Sequence, residues 1–438
     1  MKSYHSIGVQ STKILLPRQG INPQTWAVIA CDQFTSQPDY WKQVEGLVGD
    51  KPSTLHMILP EVYLGKPDEP ARILRTQQTM QNYLDNDIFT SHDGFILVER
   101  NINGRIRRGL MMALDLERYD FNAGSQSLIR ATEGTILDRL PPRMRIREGA
   151  PVEIPHILVL IDDPNCTVIE PLLEYRPRLK RLYDFELMMG SGHLTGYGIS
   201  DPAMEHNVVR ALEKLTDPNT FYQRYGVDKD KGILLFAVGD GNHSLATAKS
   251  IWEKIKNQVG MNHPARFALV EIENLHDEAL EFEPIHRVLF EIKQPVIESM
   301  KQEFGNNLTV EILPNYDELT ALVQKQASQT QKLGLVEKSG NYLLSIQQPT
   351  HNLAVGTLQA FLDKWIKQGG AEKIDYVHGS DVLRDLGCQE NCAGFYVPAI
   401  QKSELFKTVI VDGVLPRKTF SMGEAKEKRF YMECKRIA

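Results

Sequence analysis

The sequence predicts a mixed α+β protein, with mixed sheets, flanking helices and two to three subdomains. Short apolar runs bounded by turn residues alternate with amphipathic helical patterns along the chain, the pattern of strands and helices sharing sheets. The run Ile233 to Val238 passes into a glycine-bracketed polar turn and then a helical period at Leu245, Ala248, Ile251, Trp252 and Ile255. That reads as strand, tight turn, helix start. From about Val296 the texture changes to shorter alternating elements, and 438 residues suffice for two or three domains. The expected regions are 1–150, an N-terminal α+β region; 151–295, holding the glycine turn; and 296–438, a C-terminal α+β region.

In chain order, Trp26 to Cys31 reads as a buried strand with Asp32 at its tip, followed by a helix over Asp39 to Val48. A carboxylate at the end of a buried strand lies where ligands bind in open sheets, and it serves equally as a cap. Ile73, Met80, Tyr83 and Leu84 set a helical stripe over Glu69 to Asn86. Asn103-Gly104 between two β-like runs predicts a hairpin, with Arg105, Arg107 and Arg108 forming a solvated edge near its turn. Ile129 to Ile146 gathers Arg130, Arg139, Arg143 and Arg145 with Thr132, Glu133 and Thr135. Guanidinium forks and threonines suit a polyanion such as a nucleotide; an ion-paired surface helix is the alternative.

The apolar run 155–161 ends in Asp162-Asp163-Pro164, a turn whose carboxylates could also hold a divalent cation. Met188 to Ser200 has no apolar period and reads as a mobile loop or hairpin tip, in effect a lid. A helix over Asp201 to Leu215 and a strand over Arg266 to Ile272 flank the central turn. Beyond Val296, helices at Val296–Phe304, Tyr316–Ala327 and Leu358–Ile366 are interleaved with strands at Leu308–Ile312, Lys332–Glu337 and Tyr342–Ile346.

Fifty Lys and Arg against 56 Asp and Glu give a net charge of −6. That balance argues against a general nucleic-acid binder, whose affinity rests on phosphate neutralisation. The five cysteines, Cys31, Cys166, Cys388, Cys392 and Cys434, are an odd, sparse set that points to free thiols in a reducing compartment. Cys388 and Cys392 lack zinc-knuckle spacing, and neither zinc nor an iron–sulfur cluster is expected. No signal-peptide pattern opens the chain, and no run approaches the ~18 apolar residues that span a bilayer. The expected location is the cytoplasm, without a membrane partner; a homodimer is compatible with the sequence.

The central turn is Gly239-Asp240-Gly241-Asn242-His243-Ser244. Its glycines permit backbone shapes closed to other residues and let a ligand approach the main chain. The helix that follows offers free N–H groups and a positive dipole end to an anion. Asp240 supplies a base, and Asn242, His243 and Ser244 supply an amide, an imidazole and a hydroxyl. Helix capping by Asn242 or Ser244 is the alternative. There is neither a third glycine at the dinucleotide spacing nor a P-loop lysine, so a Rossmann or Walker site is not expected.

Four blocks, in this order, resemble the bacterial and archaeal family called domain of unknown function 1015. They are the Thr- and Arg-rich stretch Arg130 to Arg139, the turn Asp240-Gly241-Asn242-His243-Ser244, the element Pro284-Ile285-His286-Arg287 and the element Pro416-Arg417-Lys418-Thr419. Asn242 and Ser244 stand where the family has His and Arg, and Arg417 is inserted before the lysine, which marks a divergent subgroup. The turn is also similar to that of the ParB and sulfiredoxin superfamily, where a Gly/Asp-rich turn before a helix holds nucleotide phosphates. These resemblances imply a ParB/sulfiredoxin-like strand–turn–helix core and a nucleotide-dependent phosphotransferase acting on a small metabolite. Asp240, His243 and His286 are the expected catalytic residues. Gly239, Gly241, Asn242, Ser244, Arg139, Arg287, Lys418, Asp32, Thr132 and Glu133 are expected to bind phosphate or ligand. ATP or ADP with Mg²⁺ held through Asp240 is the expected cofactor set. A non-catalytic protein binding a nucleotide or another anion is the first alternative, and a metal-dependent hydrolase the second.

Overall fold

The computed structural model describes residues 2–326 and 329–438, the side chain of Arg139 apart. The chain forms two compact units, Met1–Leu280 together with Gly423–Ala438, and Glu281–Met422. Residue 150 lies inside the first unit and residue 295 inside the second. Mixed α/β architecture holds in both. No helix among the described residues is long and apolar enough to cross a membrane.

Among the described residues the first unit carries an 11-stranded mixed sheet. At its centre, Arg105–Asp115, Phe267–Asn274, Leu158–Ile161, Phe236–Asp240 and Ile129–Ala131 lie side by side in that order. Phe267–Asn274 runs parallel to Leu158–Ile161, Phe236–Asp240 antiparallel to it, and Ile129–Ala131 parallel to Phe236–Asp240. Alternating side chains give the sheet two buried faces. Ala268, Val270 and Ile272 pack with the helix residues Leu212, Leu245 and Trp252, whereas Leu269 packs on the opposite face with Trp26, Trp41 and Phe430.

The predicted hairpin forms between Phe89–Ile102 and Arg105–Asp115. Asn103 and Gly104 both take positive φ, 53° and 85°, the backbone that a two-residue turn needs to match strand twist. Of its arginines Arg105 is exposed, as expected, but Arg107 and Arg108 leave the solvated edge, the first because the pairing of residues 109–115 with the strand Phe267–Asn274 brings Glu273 alongside. Arg107 is buried with Glu273 at 2.8 Å, and Arg108 faces Glu99 at 3.7 Å. Asp201 caps Pro202–Leu215 by accepting from Ala203 N and Met204 N, as a first-turn proline preceded by Asp predicts.

Three other expectations change. Trp26 ends a short helix, Pro23–Trp26, capped by Asn22, and only Val28–Ile29 is strand; the Asn-Pro start turns the chain before the apolar run can extend. Met188–Ser200 starts as the expected hairpin tip, joining Lys180–Glu186 to His193–Ile199, but it is not a lid, for His193–Ile199 is a strand paired on both edges. Ile129–Ile146 is not one helix but the strand Ile129–Ala131, a 3-10 turn at Leu137–Arg139 and the helix Leu140–Arg147. The glycine at 134 and the parallel pairing of the first three residues break the helical period.

Among the described residues the second unit carries an antiparallel six-stranded sheet ordered Leu308–Leu313, Gly340–Gln347, Thr330–Glu337, Ala393–Tyr396, His286–Ile292 and Ala371–Val377. Its helices include Val296–Phe304, Tyr316–Val323 and Ala354–Lys367. Ala327, the expected end of the second of these, lies outside the described residues.

Candidate functional site

The apolar run of the sequence becomes the strand Phe236–Asp240, whose first three residues are fully buried. Gly241 then adopts φ 77° and ψ 25°, the left-handed region, which costs a side-chain-bearing residue about 1–2 kcal/mol. A Cβ there would also stand 3.1 Å from the Cα of Ile157. Any other residue at this position is therefore strained. The helix Asn242–Val259 starts directly afterwards with Gly241 as its N-cap residue and no side-chain cap. Neither Asn242 nor Ser244 caps it, and the positive end of the helix dipole, which attracts anions, lies at this first turn.

Each side chain of the turn has a distinct setting. Thr132 N donates to Asn242 Oδ1 at 3.2 Å, and Asn242 Nδ2 donates to Val238 O at 3.3 Å, while Thr132 Oγ1 donates to Val238 O at 2.6 Å. Asn242 and the buried Thr132 thus staple the turn to the neighbouring strand Ile129–Ala131. Ile136 N donates to His243 Nε2 at 3.3 Å, which leaves the ring's own proton on Nδ1. Asp240 is half-buried; its Oδ1 accepts from Gly241 N at 2.9 Å and its Oδ2 faces Lys428 Nζ at 3.2 Å. Burial pushes this carboxyl up, but Lys428 and His156 outweigh it and hold the group below the usual carboxylate range.

A strap formed by the chain's return, Gly423–Ala438, supplies Lys428. Phe430–Tyr431 pairs with Val28–Ile29, and Lys435–Arg436 pairs with Val152–Glu153. Arg429, almost wholly buried, anchors it on Glu271 at 3.2 Å and pairs within the strap with Glu433 at 2.5 Å. The strap also places Tyr431, whose hydroxyl accepts from Cys31 N at 3.1 Å and meets His156 Nδ1 at 2.8 Å. His156 Nε2 lies 4.0 Å from Asp32 Oδ2. Burial, then Cys31 and Asp32, raise the Tyr431 hydroxyl well above its ordinary value, and burial with Asp32 pushes the Cys31 thiol up to about 12. Both stay protonated at neutral pH.

Beside these groups lies a cavity of about 130 Å³. Its apolar wall includes Met57, Leu59, Leu64, Met80, Ile146 and Val152; its polar wall includes Glu61, Arg143, His156, Ser244, Thr247 and Tyr431. Arg143 forms an ion pair with Glu61. Ser244 therefore belongs both to the uncapped first turn and to the cavity wall. Among the described residues no group of three His, Cys, Asp or Glu could hold a metal ion.

The structure brings together Gly239, Asp240, Gly241, Asn242, His243, Ser244 and Thr132 in one turn and its staple, with Asp32 beside His156. Glu133 follows Thr132 in the adjoining loop and is half-exposed. The side chain of Arg139 lies outside the described ones. His286, Arg287 and Lys418 belong to the second unit. There His286 is buried, its Nδ1 accepting from Val397 N at 3.2 Å and its ring stacked 4.5 Å from Tyr396. Burial, with Arg287 and His378, lowers its pKa to about 4. Arg287 is fully buried and donates to Gln359 Oε1 at 3.2 Å, to Arg417 O at 3.0 Å and to Ile285 O. Lys418 is exposed at a positive φ of 55°. In the Asp162-Asp163 turn, Asp163 accepts from Thr167 N and Val168 N, and Asp162 meets His276 at 2.6 Å, so both carboxylates have structural partners.

Sequence reading missed His156, Lys428 and Tyr431. His156 directly precedes the apolar run of its strand and could have been picked from that position. Tyr431 is 275 positions from His156, and no local pattern connects it or Lys428 to the turn.

The family model described as "Protein of unknown function (DUF1015)" matches residues 15–365. No curated protein matches the chain. Among solved structures, the chain is similar to SbnI with a C-terminal truncation from Staphylococcus aureus, at 10% identity and a TM-score of 0.34, covering 73% of this chain and 85% of that one. A free serine kinase in complex with AMP shows 13% identity and a TM-score of 0.36, with 71% and 86% covered. A conserved hypothetical protein from Pyrococcus furiosus shows 12% identity and a TM-score of 0.33, with 74% and 90% covered.

Proposed function

The chain belongs to this family of unknown function, and from that premise we propose that it is a nucleotide-dependent phosphotransferase acting on a small metabolite. The observation that carries the reading is the uncapped start of the helix Asn242–Val259 with Asp240, Lys428 and Ser244 around it. Phosphoryl transfer depends mainly on positioning and charge neutralisation. The amides of the first turn hold phosphate oxygens, Lys428 neutralises their charge, and His243 contributes its Nδ1 proton as a hydrogen-bond donor. An acceptor hydroxyl oxygen bonds to the terminal phosphorus as the bond from that phosphorus to the bridging oxygen breaks. The hydroxyl proton passes to Asp240, and the nucleoside diphosphate leaves. Asp240 would be the residue to hold a divalent ion accompanying the nucleotide, and that ion would supply further neutralisation of phosphate charge.

Titration calorimetry with ATP, ADP and CTP, with and without Mg²⁺, tests the reading. With Mg²⁺ present, Asp240→Ala is expected to weaken nucleotide binding by about 100-fold, since the carboxylate that would hold the ion is lost. Absence of heat with all three nucleotides, or an affinity that Asp240→Ala leaves unchanged, overturns it.

One observation favours a second reading, a protein that binds an anion without chemistry: Lys428 and Gly241 N already occupy the two oxygens of Asp240. Under that reading His243→Ala weakens binding, and no diphosphate is released from ATP by the wild type with any acceptor.

A further inference from the structure

We propose that the cavity beside the helix Asn242–Val259 binds a compact, uncharged alcohol, and that this alcohol is the acceptor of the transferred phosphoryl group. The acceptor role rests on the phosphotransferase reading; the binding stands on the geometry of the cavity.

Size comes first. An apolar cavity of ~150 Å³ admits benzene, so a volume of about 130 Å³ suits one small ring or a short branched chain. That volume is too small to enclose a nucleobase together with its sugar. The thioether and aliphatic wall formed by Met57, Leu59, Leu64, Met80 and Ile146 favours an apolar body over a fully polar one.

Charge comes second. Both guanidinium groups on the wall already face carboxylates: Arg143 is paired with Glu61, and Arg147 with Glu153 at 2.6 Å, where Lys435 adds a second cation at 3.5 Å. An incoming carboxylate or phosphate has to displace one of these part-buried pairs, which strands a charge. His156 already faces Asp32 at 4.0 Å, and the other polar groups are neutral hydrogen-bonders. Tyr431 and Cys31 stay protonated, and Thr247 donates its hydroxyl to His243 O at 2.7 Å.

Position comes third. Ser244 lies in the cavity wall and in the first turn of the helix, and its hydroxyl takes no part in capping. An alcohol oxygen hydrogen-bonded to Ser244 Oγ therefore sits beside the amides assigned to phosphate. The apolar body points into the cavity and the reacting oxygen toward the helix start.

Ligand-observed NMR tests this with cyclopentanol and benzyl alcohol, with cyclopentanecarboxylate and benzoate as charged matches, and with 2-naphthylmethanol as an oversized probe. The two small alcohols are expected to bind saturably, and their charged matches about tenfold more weakly or worse. The oversized probe is expected not to bind. Ile146→Trp, which fills the cavity from the half-exposed helix Leu140–Arg147, is expected to abolish alcohol binding while ATP binding by calorimetry and the melting temperature stay as in the wild type. Ser244→Ala is expected to weaken the alcohols by about tenfold, the worth of one hydrogen bond. Carboxylates that bind as well as the alcohols, or alcohol affinities that both variants leave unchanged, overturn the proposal. If ATP binds and no alcohol does, the cavity assignment is wrong and the phosphotransferase reading stands. If alcohols bind and no nucleotide does, the acceptor role and that reading fall together.

Discussion

The turn Asp240–Ser244 and the segment Pro284–Arg287 carry the same kinds of residue, an imidazole and a charged neighbour at the edge of a strand, and the protein treats them in opposite ways. At the turn the side chains are half-exposed, the helix start has no cap, and Ser244 opens onto a cavity. At the segment the imidazole stacks on Tyr396 and accepts from Val397 N, while Arg287 ties three oxygens together without exposure. A histidine near a charged residue at a strand's end is therefore packing in one unit and part of a candidate site in the other. What separates the two cases is exposure: the turn's side chains are half-exposed and Ser244 lines a cavity, whereas His286 and Arg287 are buried.

The sharpest way to break this contrast is Arg287→Met. Stranding Gln359 and two carbonyl oxygens in the buried interior of the second unit is expected to cost about 3 kcal/mol or more. Chemical denaturation reads the loss, and the nucleotide heats are expected to match the wild type. A stable variant with lost nucleotide binding would move Arg287 from packing to function.

The pH dependence of stability is the next largest effect. His286 has a folded pKa lowered from 6.5 to about 4, so the folded state binds this proton less readily than the unfolded chain. Its contribution is fully present above pH 6.5 and is lost as the pH falls through 4, amounting to about 2–3 kcal/mol between pH 7 and 4.5. His286→Leu is expected to flatten that slope in denaturation midpoints measured across the interval. Parallel slopes for the two proteins would show that the ring is solvated rather than sealed.

Gly241→Ala gives the smallest effect and probes the other side of the contrast. A left-handed backbone and a Cβ 3.1 Å from Ile157 Cα are expected to cost about 1–2 kcal/mol. The shift at the helix start is expected to weaken nucleotide binding as well, so stability and affinity fall together. Loss of stability with intact affinity would take the turn out of the site.

Much of the fold was legible in the sequence because it is written in short-range physics. The hairpin at Asn103-Gly104, the helix beginning after Asp201 and the strand–turn–helix around Asp240 each follow from backbone preference, capping and periodicity within a dozen residues. The failures share one cause. Arg107 reads as solvent-facing until a strand from beyond residue 260 is laid beside it, and the stretch Met188–Ser200 reads as a loop because its glycines lie between two neighbours that local pattern does not reveal. His286 and Arg287 looked reactive because a sequence shows which groups are polar and not whether they are satisfied.

By itself the sequence determined the mixed sheet, the glycine turn with its required backbone, and the residues that begin the site helix, since each depends on neighbours along the chain. Only the tertiary structure decided that Lys428 and Tyr431 return on a strap to meet Asp240 and His156, that the wall arginines arrive already paired, and that a small cavity opens at Ser244. Those outcomes depend on which distant groups share a low-dielectric space, where Coulomb energies and unmet hydrogen bonds are set by separation in three dimensions rather than by order along the chain.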